Sequence, residues 1–477
     1  MFYLGIGPIL AQLTGGLKGI IGSIWVSQAL GEKALAAIST VSVYDGISRS
    51  FGFFLSASCS SKISQLYGMK KEREASQIIV DMCRITVIFG IILPLILGLT
   101  TRPLAKWLGA KEDVQDLCYE YMLPINIGTF STILFIALGG SLQGEGRSMF
   151  FSILNIISLL INMAVLDPIL LLAIKTGIWG AAFAQAISEA IPGFLLFGLY
   201  FSKKFGVKPE LSMFLNKFSP HTLPSLKVGL SQLIGNLSQM IPSIIIRKLM
   251  ALAFGEYFND GMASLNTIFR IMVFVNSVVL GLTMGFLPAG AYAYAARNYR
   301  RWFQLAFHSI WISFVWGTFT AILTWVIPRE LSLIFASGEG YLKICTPMLK
   351  YSNALGFIVG GRFCCMAFLQ SFQMGILSTF MSLLSNFVSI IVFVYVLYLT
   401  NKNDGVRLVW CFQISSAFGL VLGIAFLARP FILLYRGMKE QERNEQQDES
   451  EEIHQKDECD KTEISQQQSD TMKDDEI

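Results

Sequence analysis

The feature that most constrains this chain is its long stretches without charge. Phe380–Leu399 carries no charged residue over about the 20 positions that an α-helix needs to cross a bilayer. Ile85–Thr100 is uncharged over only a slightly shorter run. Charged residues make up 15% of the 477, against about 25% in soluble domains. That is too little charge to cover a soluble surface of this size. The expected class is an all-α integral membrane protein that passes the membrane many times.

Hydropathy places about twelve spans. The first six are 2–30, 34–66, 77–100, 115–142, 149–174 and 178–202. A basic, proline-containing connector, 203–224, separates them from 225–254, 260–294, 302–327, 340–370, 374–400 and 407–434. The first apolar segment is too long for a cleaved signal h-region and reads as the first span. Landmarks recur between the halves. Leu142-Gln143 returns as Leu369-Gln370, Gly31-Glu32 as Gly255-Glu256, and the basic turn 70–73 as 297–301. The expectation is two six-helix bundles, 1–202 and 225–437, related by a pseudo-two-fold axis along the membrane normal. Lys and Arg favour the even-numbered loops, eleven to nine, and continue after the last span. This places both termini in the cytoplasm, with the plasma membrane as the expected location. The tail 438–477 holds fifteen acidic and five basic residues and few apolar ones. It reads as a disordered cytoplasmic segment, either a solubilising tail or a site for partners.

No phosphate-binding loop, metal-ligand spacing or nucleophile–base set is present, so neither an ATPase engine nor an enzyme is expected. The eight cysteines form no CxxC pair and read as small buried residues. No cofactor, metal or nucleic-acid partner is expected. The partners are lipid and small organic molecules, and the chain is expected to be a monomer.

Ionisable groups inside a membrane are costly and often functional. Asp167 lies late in span five beside Pro168, which removes a backbone donor and frees carbonyls next to the carboxylate. Pro168 is therefore a candidate hinge and Asp167 a candidate proton or cation site. The alternative is an interfacial helix cap. Asp45 and Arg49, four apart, share a helix face, as either a locking ion pair or part of a transport site. Glu189 and Arg270 are isolated candidates. Gln232, Asn236, Gln239 and Ser243 recur at helical spacing on span seven. They read as a cavity wall or as helix–helix contacts, and Asn353 and Asn386 are placed with them. Abundant Phe and Met suit promiscuous apolar binding as well as lipid contact.

Several segments resemble the multidrug and toxic compound extrusion (MATE) family. They are Gly285-Phe-Leu-Pro288 running on to Asn298-Tyr299-Arg300-Arg301, Gly31–Ser39, Leu142-Gln143-Gly144-Glu145-Gly146-Arg147, Leu166-Asp167-Pro168 and Gly180-Ala181-Ala182. The likeness runs from Pro8 to about Arg436. It implies a central cavity that opens to one side at a time, with Gln143 in its wall. It also implies export of organic, often cationic, compounds against inward protons or sodium.

In relatives the coupling site includes an aspartate on the first helix, an Asn–Asp pair on the fifth and a threonine on the sixth. Here those positions fall on Gly22, on Met163 with Asp167, and on Gln185. Asn162 stands five before Asp167 instead of four, so on a regular helix the two side chains diverge. A hard cation needs several oxygen ligands, whereas a proton needs one carboxylate. Proton coupling is therefore expected over sodium, through Asp167 with Asn162, Gln185 and Asp45 as a replacement carboxylate. The alternatives are a flippase for lipid-linked head groups, using Lys18, Lys227, Arg270 and Arg362, or a channel-like or receptor protein without coupling.

Overall fold

The computed structural model describes residues 2–30, 32–107, 112–335 and 338–474. Gly31 of the first-loop motif lies outside them. Twelve helical rods follow one another: α1 (Phe2–Leu30), α2 (Glu32–Gly68), α3 (Glu72–Trp107), α4 (Glu112–Gly144), α5 (Ser148–Leu160, continued to Ala173 as wider turns), α6 (Ile178–Phe201), α7 (Thr222–Phe254), α8 (Phe258–Ala295), α9 (Tyr299–Val326), α10a (Glu339–Ser352) with α10b (Gly356–Ser371), α11 (Gly375–Leu383, continued to Thr400) and α12 (Trp410–Asp474). Among the described residues nine helices are long and apolar enough to cross a bilayer, and α10a with α10b, meeting at 48°, makes ten. The first two rods span 29 and 37 residues. α2 dilutes its apolar content with serines and with Asp45, Arg49 and Lys62. α12 continues unbroken into the acidic tail as far as Asp474, where irregular chain was expected. Past Gly437 the tail contains neither Gly nor Pro and is rich in Glu, Gln and Lys, so nothing local stops the helix.

The helix ends show the repeat in the backbone. Lys70 and Arg297, 227 positions apart, both adopt positive φ, 60° and 55°. Gly146 and Gln373 do the same at the same interval, with φ of 79° and 60°. Each closes its helix with a 6→1 bond: Lys71 N–H to Leu66 O, Asn298 to Ala293, Arg147 to Leu142, and Met374 to Leu369. Lys203 ends α6 in the same way. A non-glycine residue in this conformation costs roughly 1 kcal/mol. A basic residue there sits at the negative end of the helix dipole, which offsets part of that cost.

One core cluster joins buried side chains of α2, α3, α4 and α6, Leu55, Ile79, Leu134 and Leu196 among them. Two others lie in the second half, one around Trp302, Phe286 and Phe368, the other around Ile246, Ile268 and Met348. Small residues bring the rods close. A Cβ on Gly140 would lie 2.3 Å from Ser56 O, so α2 and α4 meet backbone to backbone, as membrane helices do where small residues line up. The segment between α6 and α7 is tied to α3. Buried Asp81 accepts from Ser219 N–H at 2.8 Å and from Thr222 Oγ1 at 2.6 Å. Arg84 donates to the carbonyls of Met213, Phe214 and Asn216.

Among the described residues, the hydrogen bonds between helices α1–α6 and α7–α12 all lie on the side where α1 begins, hereafter the near side. Gln12 donates to Met284 Sδ, Ser225 to Ser58 O, and Gln373 to Ser61. Glycines fit in the same region: a Cβ on Gly281 would meet Ile9 backbone at 2.4 Å, and one on Gly229 would meet Phe54 O at 2.3 Å. The two halves are thus fastened on the near side. Gly229→Val is expected to wedge this contact apart. Overpacking of this kind costs about 1–3 kcal/mol, or roughly tenfold in a conformational equilibrium. Crosslinking of Ser58→Cys with Ser225→Cys reads the change. The seven described native cysteines are all buried, so their background is low.

Candidate functional site

The first half encloses a charged cluster built from five helices. Glu189 of α6 is its hub. Its Oε1 accepts from Lys18 Nζ of α1 at 3.0 Å and from Arg49 of α2 at 2.6 Å. Its Oε2 accepts from Thr132 of α4 at 2.7 Å. Lys18 also donates to Ser188 at 2.9 Å and to Ser158 of α5 at 3.5 Å. Arg49 reaches back one turn to Asp45 at 3.0 Å, and Gln185 of α6 donates to the other Asp45 oxygen at 3.3 Å. Tyr121 of α4 donates to Gln185 at 3.4 Å. Sequence spacing marked the Asp45–Arg49 pair. It did not mark Glu189, read as isolated, because its partners come from α1, α2 and α4.

Asp167 stands apart from this chain of ion pairs. It is buried, and Asn162 Nδ2 donates to its Oδ1 at 3.3 Å. The five-residue spacing is accommodated because Ile161–Leu166 is a π-helix, with Asp167 N–H bonded to Asn162 O. An i→i+5 bond puts more residues into each turn, so residues five apart return to the same side. A second π stretch, Pro168–Ala173, follows at once. The chain around Pro168 is therefore a widened helix and not an open kink. Among the described residues Asp167 has no direct basic partner, yet the Lys18 charge reaches it. Tyr121 feels Asp45, Arg49, Asp167 and Glu189 together, so all four belong to one neighbourhood. Gly22, the lost aspartate position, faces the Met163 methyl.

A second element lies between the halves. Gln143 of α4, Gln232 of α7 and Gln370 of α10b face a cavity whose wall also includes Phe53, Met284, Phe363 and Met366. Gln143 and Gln370 are the two repeats of one position, and Gln370 donates to Ser231 at 2.6 Å. Of the expected cavity residues, Gln143 and Gln232 are in this wall. Asn236 is half-buried on α7 and Gln239 exposed, outside it. Asn353 is buried at the α10a–α10b break. Asn386 is buried in a π turn of α11, Leu384–Val388, where it accepts a short hydrogen bond from Arg362. In the sequence Gln370 is legible only as a repeat landmark.

The MatE family model matches residues 9–168 and, separately, 230–396. The chain belongs to the MATE family. Two matches to one model also account for the recurring helix ends. The multidrug export protein MepA of Staphylococcus aureus (strain N315) is 24% identical over 87% of this chain and 90% of its own. An outward-facing multidrug resistance MATE transporter of the MOP superfamily superposes with a TM-score of 0.83 at 21% identity, covering 91% of this chain and 96% of that one. A MOP superfamily transporter from Pyrococcus furiosus, described as having a binding pocket of reversed polarity, gives 0.84 at 20% identity over 91% and 96%. This MATE-family chain is a multi-pass membrane transporter and not an enzyme.

Within the cluster, removing one partner of a buried ion pair leaves the others uncompensated, which costs about 3–5 kcal/mol. Glu189→Gln is expected to lower the thermal stability of the purified protein sharply. Thr132→Val, which removes one neutral donor, is expected to cost about 1 kcal/mol. Both are read as melting temperatures in detergent.

Proposed function

We propose that this chain exports amphipathic organic compounds, cationic ones among them, in exchange for protons, and that Asp167 carries the proton. The observation behind this reading is the contrast among the three carboxylates. Asp45 and Glu189 are held in direct ion pairs. Asp167 is buried with only an amide donor on its carboxylate. It is the carboxylate whose protonation breaks no salt bridge. On α1 the expected ligand position is Gly22, which faces the Met163 methyl of the fifth helix and supplies no side-chain oxygen, and this supports a proton over a sodium ion.

With the termini in the cytoplasm, the fastened near side is the cytoplasmic one and the halves part on the outer side. Asp167 lies near the far end of α5, so a proton arrives from outside. A neutral Asp167 is released from the field of Lys18, and the widened turns on either side of it can tighten at Pro168. Coupling requires that the outward and inward states differ in proton affinity, since only differential binding shifts a conformational balance. Asp45, joined to Gln185 and through it to Tyr121, links this change to α2 and α4.

The cavity holds only about 20 Å³ in this state, and its wall of Phe53, Phe363, Met284 and Met366 with three glutamines would suit amphipathic cargo once the halves part around it. Aromatic faces attract cations without any formal charge. MepA is a multidrug export protein, and a cargo of that kind fits this wall. The Pyrococcus furiosus relative indicates that the fold does not fix the polarity of its pocket.

The test uses proteoliposomes loaded with a fluorescent organic cation, under an imposed pH gradient and separately under a sodium gradient. The wild type is expected to move the dye with the pH gradient. Asp167→Asn is expected to abolish that movement, and Asp45→Asn to lower it by about tenfold, the loss of one charged contact. Transport by Asp45→Asn at the wild-type rate would remove Asp45 from the coupling path. Movement driven by sodium alone would overturn the proton assignment.

A further inference from the structure

The second half holds a charge that nothing in it balances. Between residues 225 and 437 the acidic residues are Glu256, Asp260, Glu330, Glu339 and Asp404, all in loops or the first turns of helices. None lies in the body of a span. Arg362 does, two turns into α10b. Among the described residues its guanidinium has no carboxylate partner. It donates one short hydrogen bond, through Nη1, to Asn386 Oδ1. It stacks on Phe363 at 4.5 Å, and its Nε is buried without an acceptor.

A guanidinium in this setting is costly on two counts. Its charge is removed from water without a counter-charge, and a buried N–H is left unpaired. It also cannot shed its proton to escape the cost. One small anion seated on the guanidinium relieves both. Arg362 as a residue is half-buried while its Nε is enclosed, so an anion reaches that edge when α10b and its neighbours part, as the export reading requires. Arg362, Met366 and Gln370 follow at steps of four, so they share one face of α10b. Met366 and Gln370, with Phe363, line the central cavity. Arg362 therefore stands one turn beyond this wall, away from the near side, with its stem against Gly419 of α12. Asn386 presents its amide towards α7, with Nδ2 3.7 Å from where a Cβ on Gly235 would lie, one turn from Gln232 in the cavity wall.

We propose that Arg362 and Asn386 form an anion-binding subsite at the upper edge of the central cavity, which receives the carboxylate of a zwitterionic or anionic amphipath. Its cargo rests on the export reading above. The subsite itself rests on the unbalanced guanidinium. The Asn386 carbonyl occupies one end of the fork and fixes its plane, and the acceptorless Nε marks the edge that an oxyanion would pair with. A free halide from solution satisfies the same chemistry, so the test separates the two sources.

Binding of two matched dyes to the purified full-length chain provides the test, by fluorescence polarisation in dilute buffer without added salt or carboxylate. Rhodamine B carries a free carboxylate, and rhodamine 6G carries an ethyl ester in its place. Arg362→Gln is expected to weaken rhodamine B by about tenfold or more, the usual effect of losing a charge-assisted pair, and to change rhodamine 6G by less than about twofold. Arg362→Lys is expected to retain part of the rhodamine B affinity. Added chloride is expected to compete with rhodamine B on the wild type and not with rhodamine 6G. This arm stands even if Arg362→Gln does not fold. Equal loss of both dyes, no loss of either, or no chloride competition would overturn the subsite. Chloride that raises the wild-type melting temperature but leaves rhodamine B untouched would assign the site to a halide and overturn the cargo assignment. Failure of rhodamine 6G to move with a pH gradient in wild-type proteoliposomes would instead sink the export reading, leaving the binding result to stand or fall alone.

Discussion

Glu189 holds the first half of the molecule together. Its carboxylate gathers an ammonium from α1, a guanidinium from α2 and a hydroxyl from α4. Each charge alone would be very unfavourable among apolar helices. Together they satisfy one another, and this fixes how four helices are rotated about their axes. Lys18, held in this way, also sits where its charge reaches Asp167. The cluster therefore locks this part of the bundle. It also engages a basic residue that a head-group flippase would need for pyrophosphate.

The two halves use the same backbone device with opposite charges. Asn162 and Asn386 lie 224 positions apart, and both sit in π turns that interrupt the fifth helix of their repeat. In the first half the asparagine donates to a carboxylate. In the second it accepts from a guanidinium. The widened turn moves the asparagine side chain off its regular helical position, so each repeat can present an amide to a buried charge. The duplicated scaffold thus carries an amide–charge pair on each side, of opposite sign. In the first half the carboxylates of Asp45, Asp167 and Glu189 share one region with Lys18 and Arg49. The second has Arg362, and no carboxylate, in the body of a span.

Between them the contact is made of small residues. Gly229 and Gly281 let α7 and α8 approach the backbones of α2 and α1, with single hydrogen bonds from Ser225, Gln373 and Gln12. No ion pair joins the transmembrane helices of the two halves there among the described residues, and the larger side chains that cross, Leu226, Leu230 and Leu233 of α7, are apolar. Close but weak packing of this kind can be broken and remade. This is what a transporter needs where it must open. The charged ties are instead placed inside the first half and between α3 and the connector, where Asp81 and Arg84 hold the start of α7.

Much of this was legible in the sequence because a bilayer enforces a simple rule: a span must be long, apolar and helical. That rule gave the number of rods and nearly all of their ends. It gave the repeat too, since the same turn chemistry recurs at Lys70 and Arg297. Asp167 stood out because a lone carboxylate is expensive in an apolar helix, and Asp45 with Arg49 because four residues bring two side chains onto one face. Tertiary structure alone decided the rest. Glu189 finds its partners on other helices, and no periodicity along one helix encodes the rotation of its neighbours. Gln239 follows the same stripe as Gln232 yet lies outside the cavity wall. A long helix passes from the contact between the halves into open space, which its sequence pattern does not register. The π turns were hidden as well: an Asn five residues before an Asp reads as a mismatch until the backbone widens to join them. Sequence determines which groups must be hidden from lipid. Only the packing of twelve helices determines what each is hidden against.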